Sequence, residues 1–204
     1  GHSRDMPAAI AVTGSAVYVA GISYDEYVTV KYTPAGETAW ARFYHGPGYG
    51  GSATAIAVDG QGNVFVTGYD YGVGTGDDWV TLKYDAAGTL LWEARLDGPA
   101  SQGDHAKALA VDAEGNAYVT GFCTGSGTRS DFVTVKYGPD GDTLWLRSYN
   151  GPDSGYDNAY ALALDGRGNC YVTGATEGST ASDYLTVRYN SNGDRAWMRR
   201  QAAP

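Results

Sequence analysis

Short, mainly apolar runs of residues recur along the whole chain, and turn residues separate them. The fullest copy of this pattern begins with HAKALAVD at 105–112. It continues with AYVTGFC at 117–123 and FVTVKY at 132–137, and it ends with a run from 142 to about 149. Short runs of this kind, rich in aromatic and β-branched residues and bounded by turns, are typical of β-strands. One copy therefore predicts four strands.

The same pattern is written four times, and a tryptophan marks the last strand of each copy. Trp40, Trp92, Trp145 and Trp197 are separated by 52 or 53 residues. A period near fifty with four short strands in each unit predicts the blades of a β-propeller. The four blades are expected at about 7–47, 53–99, 105–152 and 158–204.

The predicted fold class is therefore all-β, with residues 7–204 forming one propeller domain of four blades, each of four antiparallel strands. Residues 1–6 are assigned to a leading tail, in which Gly1-His2-Ser3 resembles an expression remnant. Two alternatives stay open: half of an eight-bladed ring formed by two chains, and a fragment of a larger propeller. Closure by a single chain, with blade one packed against blade four, is the favoured arrangement.

Composition and charge reduce the number of partner classes that the chain is expected to bind. The 204 residues include 30 glycines and 17 tyrosines, which suits strands joined by many tight turns. The formal net charge of −9 disfavours nucleic acid and anionic membranes, because proteins that follow phosphate backbones carry basic surfaces. No apolar run is long enough to insert into a membrane as a helix. Cys123 and Cys170 lie at opposite ends of equivalent strands, which predicts two free thiols.

Three motifs resemble the bacterial β-propeller repeats known as the SBBP type. They are AVDAEGNAYVTG at 110–121, DFVTVKY at 131–137, and the series Gly141, Trp145 and Gly151-Pro152. Most of this series is present in all four copies. The resemblance implies a module of a large bacterial surface or secreted protein, hence an extracellular or cell-surface location, and it implies no catalytic residues.

Binding is expected on one face of the propeller. In a four-stranded blade, the first-to-second and third-to-fourth connections share one face, and here they are short and nearly invariant turns. The remaining connections share the opposite face, where they are longer and differ between blades, as loops that bind partners usually do. The candidate ligand-binding residues of this loop face are Tyr24, Asp25, Tyr49, Tyr69, Asp70, Tyr71, Asp77, Asp104, His105, Asp153, Tyr156 and Asp157.

The leading functional hypothesis is a non-enzymatic binding module that contacts a protein or a glycan through the loop face. Tyrosine rings with nearby carboxylates suit either ligand, so a lectin-like propeller is one alternative. A hydrolase or lyase that uses His45 or His105 is another. A homodimer is also open. No cofactor and no metal site is predicted.

Two repeated features are interpreted as structural. The Asp-x-x-Gly-Asn turns, as at Asp112 to Asn116, lack the further oxygen ligands of a calcium loop, which predicts hairpin turns capped by side chains. Basic residues recur two positions after a threonine in the third strand of every blade, and acidic residues recur five positions before the basic ones. A charge present in every blade predicts a hydrogen bond or an ion pair between blades. The basic set is Lys31, Lys83, Lys136 and Arg188, and the acidic set is Glu26, Asp78, Asp131 and Asp183.

Overall fold

The structure, a computed structural model, describes residues 5–48, 50–178 and 181–202. Blade one consists of Met6–Thr13 (β1), Ala16–Ser23 (β2), Glu26–Tyr32 (β3) and Thr38–Tyr44 (β4). Blade two consists of Gly51–Val58 (β5), Val64–Gly72 (β6), Gly76–Tyr84 (β7) and Leu90–Leu96 (β8). Blade three consists of His105–Val111 (β9), Ala117–Thr124 (β10), Ser130–Tyr137 (β11) and Thr143–Tyr149 (β12). Blade four consists of Asp157–Leu164 (β13), Cys170–Glu177 (β14), Ser182–Tyr189 (β15) and Arg195–Gln201 (β16).

Each blade is a separate sheet in which the strands lie in chain order and pair antiparallel. The all-β fold class and the four four-stranded propeller blades are thereby confirmed. In the part of the chain that the structure describes, no helix is long and apolar enough to cross a bilayer.

Side chains cap the hairpin turn between the first two strands of a blade, as the sequence predicts. In blade three, Asp112 Oδ1 accepts the N–H groups of Glu114 and Asn116, and Asp112 Oδ2 accepts the Asn116 side-chain amide at 2.7 Å. Glycine at Gly115 supplies the left-handed backbone that the turn requires, with φ of 81°. The same arrangement recurs in blades two and four.

The hydrophobic core lies between consecutive blades rather than inside one of them. Three clusters join blade one to two, two to three, and three to four. The innermost strands pack in the same succession, β1 on β5, β5 on β9 and β9 on β13. Among residues 5–48, 50–178 and 181–202, no hydrophobic cluster joins blade four to blade one. The packing that closure by a single chain requires is thus absent from this part of the molecule.

Both cysteines are free and buried, which confirms the predicted pair of free thiols. Cys123 lies in the cluster between blades two and three, and Cys170 lies in the cluster between blades three and four. They therefore pack as small apolar residues in different parts of the core.

Candidate functional site

A cleft of about 500 Å³ opens on the loop face between blades one and two. It brings together three of the predicted residues, Tyr24, Asp25 and Asp70, from two different blades. Its complete lining is Tyr24, Asp25, Glu26, Tyr44, His45, Gly46, Gly48, Gly50 and Asp70. Aromatic rings, carboxylates and exposed main chain thus meet in one concave place, as is common in binding sites.

Tyr24 and Asp25 form the two-residue turn that joins β2 to β3, closed by the pairing of Ser23 with Glu26. Both residues have positive φ, 52° and 64°, as both central residues of a type I′ turn do. Asparagine, aspartate and glycine are favoured there, whereas a bulkier L-residue such as Tyr24 costs about 1–2 kcal/mol in this conformation. The strained turn presents Tyr24 to solvent with 69% of the residue exposed.

Negative charge dominates the cleft. Asp25 and Glu26 lie on its rim, and Glu26 Oε1 is 3.1 Å from His45 Nδ1. Asp70 lies on its floor and is almost fully buried. Burial raises the pKa of the Asp70 carboxyl, and its hydrogen bond with Arg95 opposes that rise.

Arg95 holds the floor of the cleft together. Its guanidinium donates to Asp70 Oδ2 at 3.0 Å, to Asp78 Oδ2 at 3.2 Å and to the Tyr44 hydroxyl at 3.2 Å. The Tyr44 hydroxyl in turn donates to Glu93 Oε1 at 2.6 Å. Since blades one and two both contribute to this network, it fixes the cleft walls relative to each other.

A second group of predicted residues meets between blades two and three. The His105 ring is stacked on Tyr69, with centroids 4.1 Å apart, and lies 5.2 Å from Phe122 on its other side. His105 Nε2 lies 3.0 Å from Asp77 Oδ2. Burial lowers the pKa of His105, although the hydrogen bond with Asp77 opposes that change. The ring is packed between aromatic neighbours, and the described hydrogen bonds connect it to no serine or cysteine.

The remaining predicted residues are dispersed. Tyr71 and Asp153 are exposed, and Tyr156 lies under the Arg129 guanidinium, 4.7 Å from the ring centroid. Tyr156 and Arg129 contribute to a separate cleft of about 470 Å³ between blades three and four. Tyr49 lies outside the described residues.

Two predicted acids, Asp104 and Asp157, are fully buried and hold the loops between blades. Asp104 accepts the N–H groups of Gly98 and Thr124, the latter at 2.7 Å. Asp157 accepts the N–H of Gly151 at 2.6 Å. This is a correction to the expectation that both carboxylates face a ligand. The reason is the position of each acid, six residues after the glycine of a Gly-Pro pair in the preceding loop. From there its carboxylate accepts the N–H of that glycine.

One acidic cluster has the composition of a cation site. One carboxylate oxygen from each of Asp78, Asp97 and Asp104 lies within 4.8 Å of the others. Asp78 Oδ1 is buried and has no hydrogen-bond partner in the part of the chain that the structure describes. Burial, together with Asp97 and Asp78 but opposed by two backbone N–H groups, raises the pKa of Asp104 to about 6. These residues could hold a proton or a cation, and the sequence analysis did not bring them together.

A larger cleft, of about 610 Å³, lies on the opposite face, between the hairpin turns of blades three and four. Its lining includes Asp112, Glu114, Lys136 and Asp165, and Lys136 Nζ lies 3.6 Å from Asp112 Oδ2. Sequence reasoning missed this cleft because the turns there are nearly identical in blades two, three and four. The two turns that line it differ at only two positions, with Ala113 in place of Gly166 and Glu114 in place of Arg167.

Comparison with known proteins shows limited likeness. No family model matches the chain. Over 213 aligned residues it is 24% identical to an uncharacterized WD repeat-containing protein, L264, of Acanthamoeba polyphaga mimivirus. That alignment covers 83% of this chain and 15% of the viral protein, so the chain spans less than a sixth of that relative. The crystal structure of virginiamycin B lyase from Staphylococcus aureus is similar over 97% of this chain and 70% of the lyase, with 10% identity and a TM-score of 0.36.

Proposed function

We propose that this chain is a non-enzymatic binding module that holds a protein partner in the loop-face cleft between blades one and two. The strained turn at Tyr24 and Asp25 is the observation that carries the proposal. Strained backbone is retained where the surrounding structure or a function requires it. Here the strain places an exposed aromatic ring at the mouth of an acidic cleft.

The chemistry of the cleft favours a basic segment of a partner protein. Tyr24 offers a flat ring on which an arginine or lysine side chain can lie, and cation–π contacts of this kind are common for both. Asp25 and Glu26 offer carboxylate acceptors on the same rim. A WD repeat relative is consistent with an interaction role.

The resemblance to SBBP-type repeats extends the proposal to the location of the protein. On that basis the module belongs to a bacterial surface or secreted protein and acts outside the cell. Catalysis is the weaker candidate, because His105 is enclosed by Tyr69 and Phe122, and His45 is paired with Glu26 on an open rim.

A direct test probes the purified chain with an array of Lys- and Arg-rich peptides, matched acidic peptides and a glycan array. We expect binding to basic peptides. Tyr24→Asn should weaken that binding at least tenfold, equivalent to about 1.4 kcal/mol. Asparagine accepts the left-handed conformation, so this change removes the ring while keeping the turn.

Two variants complete the design. Asp25→Asn removes one rim carboxylate and should also weaken binding, whereas Tyr71→Ala, an exposed tyrosine outside the cleft lining, should leave it unchanged. Binding to glycans but not to basic peptides would replace the protein partner by a sugar. Equal binding by the wild type and Tyr24→Asn would remove this cleft from consideration.

A further inference from the structure

The three junctions between blades are built from the same two surfaces. We call the side of a blade that meets the next blade its forward face, and the side that meets the preceding blade its rear face. The forward face of blade three presents Tyr118, Phe132, Thr134, Lys136 and Trp145. The rear face of blade four presents Cys170, Val172, Leu185, Val187 and Tyr189. Blades one and two meet through equivalent residues, and so do blades two and three.

Two hydrogen bonds to one main-chain oxygen, which we call the polar lock, accompany the apolar contacts at each junction between blades. The indole N–H of Trp145 donates to the Ser191 carbonyl oxygen at 3.1 Å, and Lys136 Nζ lies 3.4 Å from the same oxygen. Trp92 and Lys83 bond in the same way to Pro139 O, and Trp40 and Lys31 bond to Ala86 O. The acceptor always lies in the turn before the fourth strand of the next blade.

A glycine in that same turn receives the tryptophan ring. A Cβ added at Gly193 would lie 2.7 Å from Trp145 Cγ. At Gly141 and Gly88 it would lie 3.0 and 2.9 Å from atoms of Trp92 and Trp40, respectively. The close approach of the indole therefore depends on glycine at each of the three junctions.

Blade one has a complete rear face with nothing packed on it in the described part of the chain. Ile10 and Val12 correspond to Ile56 and Val58, which pack against the core, yet they are 67% and 70% exposed. At Gly36, the counterpart of Gly193, an added Cβ would meet no atom within 4 Å. Four further rear-face residues, Val17, Val19, Val28 and Val30, are only half-buried, whereas their counterparts in the other blades are buried.

Blade four has a complete forward face in the same condition. Tyr184 is 71% exposed, whereas its counterpart Phe132 is fully buried. Trp197 and Arg188 occupy the lock positions, and the described residues offer neither of them a carbonyl acceptor. Arg188 Nε is buried without any hydrogen-bond partner among those residues.

We infer that a second copy of this chain supplies the missing partner for each of these faces. The forward face of blade four in one copy packs on the rear face of blade one in the other. Trp197 and Arg188 donate to the Pro34 carbonyl oxygen of the second copy, and Trp197 lies over its Gly36. This inference concerns the forward face of blade four and the rear face of blade one. It is independent of the binding function proposed for the loop face.

The number of copies follows from the way such contacts close. The two faces are different, so the contact is heterologous and forms either a ring or an open filament. Propellers usually have four to eight blades, and two copies provide eight. Two copies of this 204-residue sequence therefore fall within that range, three do not, and a ring of two leaves neither face free.

Solution mass tests this directly, by light scattering after size-exclusion chromatography at low and high micromolar concentration. We expect about 43 kDa, twice the 21.5 kDa of one chain. Ile10→Glu damages the rear face and Tyr184→Glu damages the forward face, and each variant alone should be a monomer. Leu144→Glu, on the exposed outer strand of blade three, should leave the dimer intact.

Mixing the two damaged variants distinguishes a head-to-tail contact from other modes of dimerisation. The mixture contains one undamaged pair of faces, so a species of about 43 kDa should return. A monomeric wild type, a dimer insensitive to both substitutions, a mixture that stays monomeric, or a mass that grows beyond two chains would each overturn the inference. If circular dichroism shows that either variant does not fold, Val12→Glu on the rear face and Arg199→Glu on the forward face replace the first pair. Arg42 and Arg147, the counterparts of Arg199, donate to main-chain oxygens of the next blade.

Discussion

Trp145 of blade three donates its indole N–H to the main-chain oxygen of Ser191 in blade four, at 3.1 Å. The contact spans 46 residues of sequence, a little less than one period, and similar bonds join blades one to two and two to three. Each blade is thus fastened to the next by an outer-strand residue and a main-chain oxygen. The contribution of each such hydrogen bond to the free energy of unfolding can be compared between blades.

Trp145→Phe should lower the free energy of unfolding by at least about 1 kcal/mol, because the indole hydrogen bond to a main-chain oxygen and part of the packed ring volume are both lost. Trp197→Phe is the matched control, since the described residues offer the Trp197 indole N–H no acceptor. Both substitutions should be measured by urea denaturation in the Ile10→Glu background, which removes any contribution from self-association. Equal losses for the two variants would contradict the assignment of the lock.

Arg95→Met should lower the free energy of unfolding by about 3–5 kcal/mol, because it leaves the buried carboxylates of Asp70 and Asp78 without their cation. Arg200→Met, which breaks a more exposed pair with Asp183, should cost no more than about 1 kcal/mol. Thermal and urea unfolding provide the comparison. Adding Asp70→Asn and Asp78→Asn to Arg95→Met should restore part of the loss, and no restoration would refute the charge-based explanation.

Asp104 should titrate with a pKa of about 6, whereas Asp165 should titrate at about 2 because Asn169 and nearby N–H groups donate to its carboxylate. Carboxyl carbon chemical shifts measured by NMR across this range would separate the two groups. Because the folded-state pKa of Asp104 is raised, its contribution to stability is complete below pH about 4 and is lost as the pH rises through 6. Asp104→Asn should remove that part of the pH dependence, and a midpoint near 4 would show that burial does not govern this carboxyl.

Neither cysteine should react with a thiol reagent such as DTNB in the folded protein at pH 8. Burial raises the pKa of Cys170 to about 12 and that of Cys123 still further, so the reactive thiolate is scarce as well as inaccessible. Two thiols should react in denaturant. Ala113→Cys, at an exposed turn position, serves as the positive control, and rapid labelling of a second thiol in the folded variant would indicate an opened junction.

Tyr24→Asn should raise the free energy of unfolding by about 0.5–1 kcal/mol, because asparagine accepts positive φ more readily than tyrosine. Urea denaturation gives the magnitude. Tyr71→Asn, at an exposed strand position with ordinary backbone, should give no such gain. Destabilisation by Tyr24→Asn would mean that the ring of Tyr24 contributes to folding, and that strain alone does not describe the turn.

Much of the fold could be predicted because local patterns determine it. The spacing of the tryptophans predicted the blades, and the Asp-x-x-Gly-Asn turns predicted the capped hairpins. Repetition of lysine in the third strand predicted a contact between blades, confirmed at Lys31, Lys83 and Lys136. For the corresponding acids the prediction was wrong, because they bond within their own blades, as in the pair of Asp78 with Arg95.

The missing hydrophobic packing between blades four and one, in the part of the chain that the structure describes, could not be predicted in the same way. The sequence identifies which faces pack together, but the angle between blades depends on how side-chain volumes fill each junction. Asp104 and Asp157 were misread for a related reason, since a loop acid can face solvent or bond to the neighbouring main chain. The predicted ligand-binding set as a whole stays a prediction, although Tyr24, Asp25 and Asp70 do share one cleft.

The packing of a tryptophan ring on a glycine at each junction has a consequence for how the gene can evolve. Each unit carries both halves of the junction, a tryptophan for the unit ahead and a glycine for the unit behind, as Trp92 and Gly88 illustrate in blade two. Duplicating one whole unit in the gene would therefore add a blade that is already matched to both neighbours. Such a chain can lengthen by copying without first acquiring a compensating substitution.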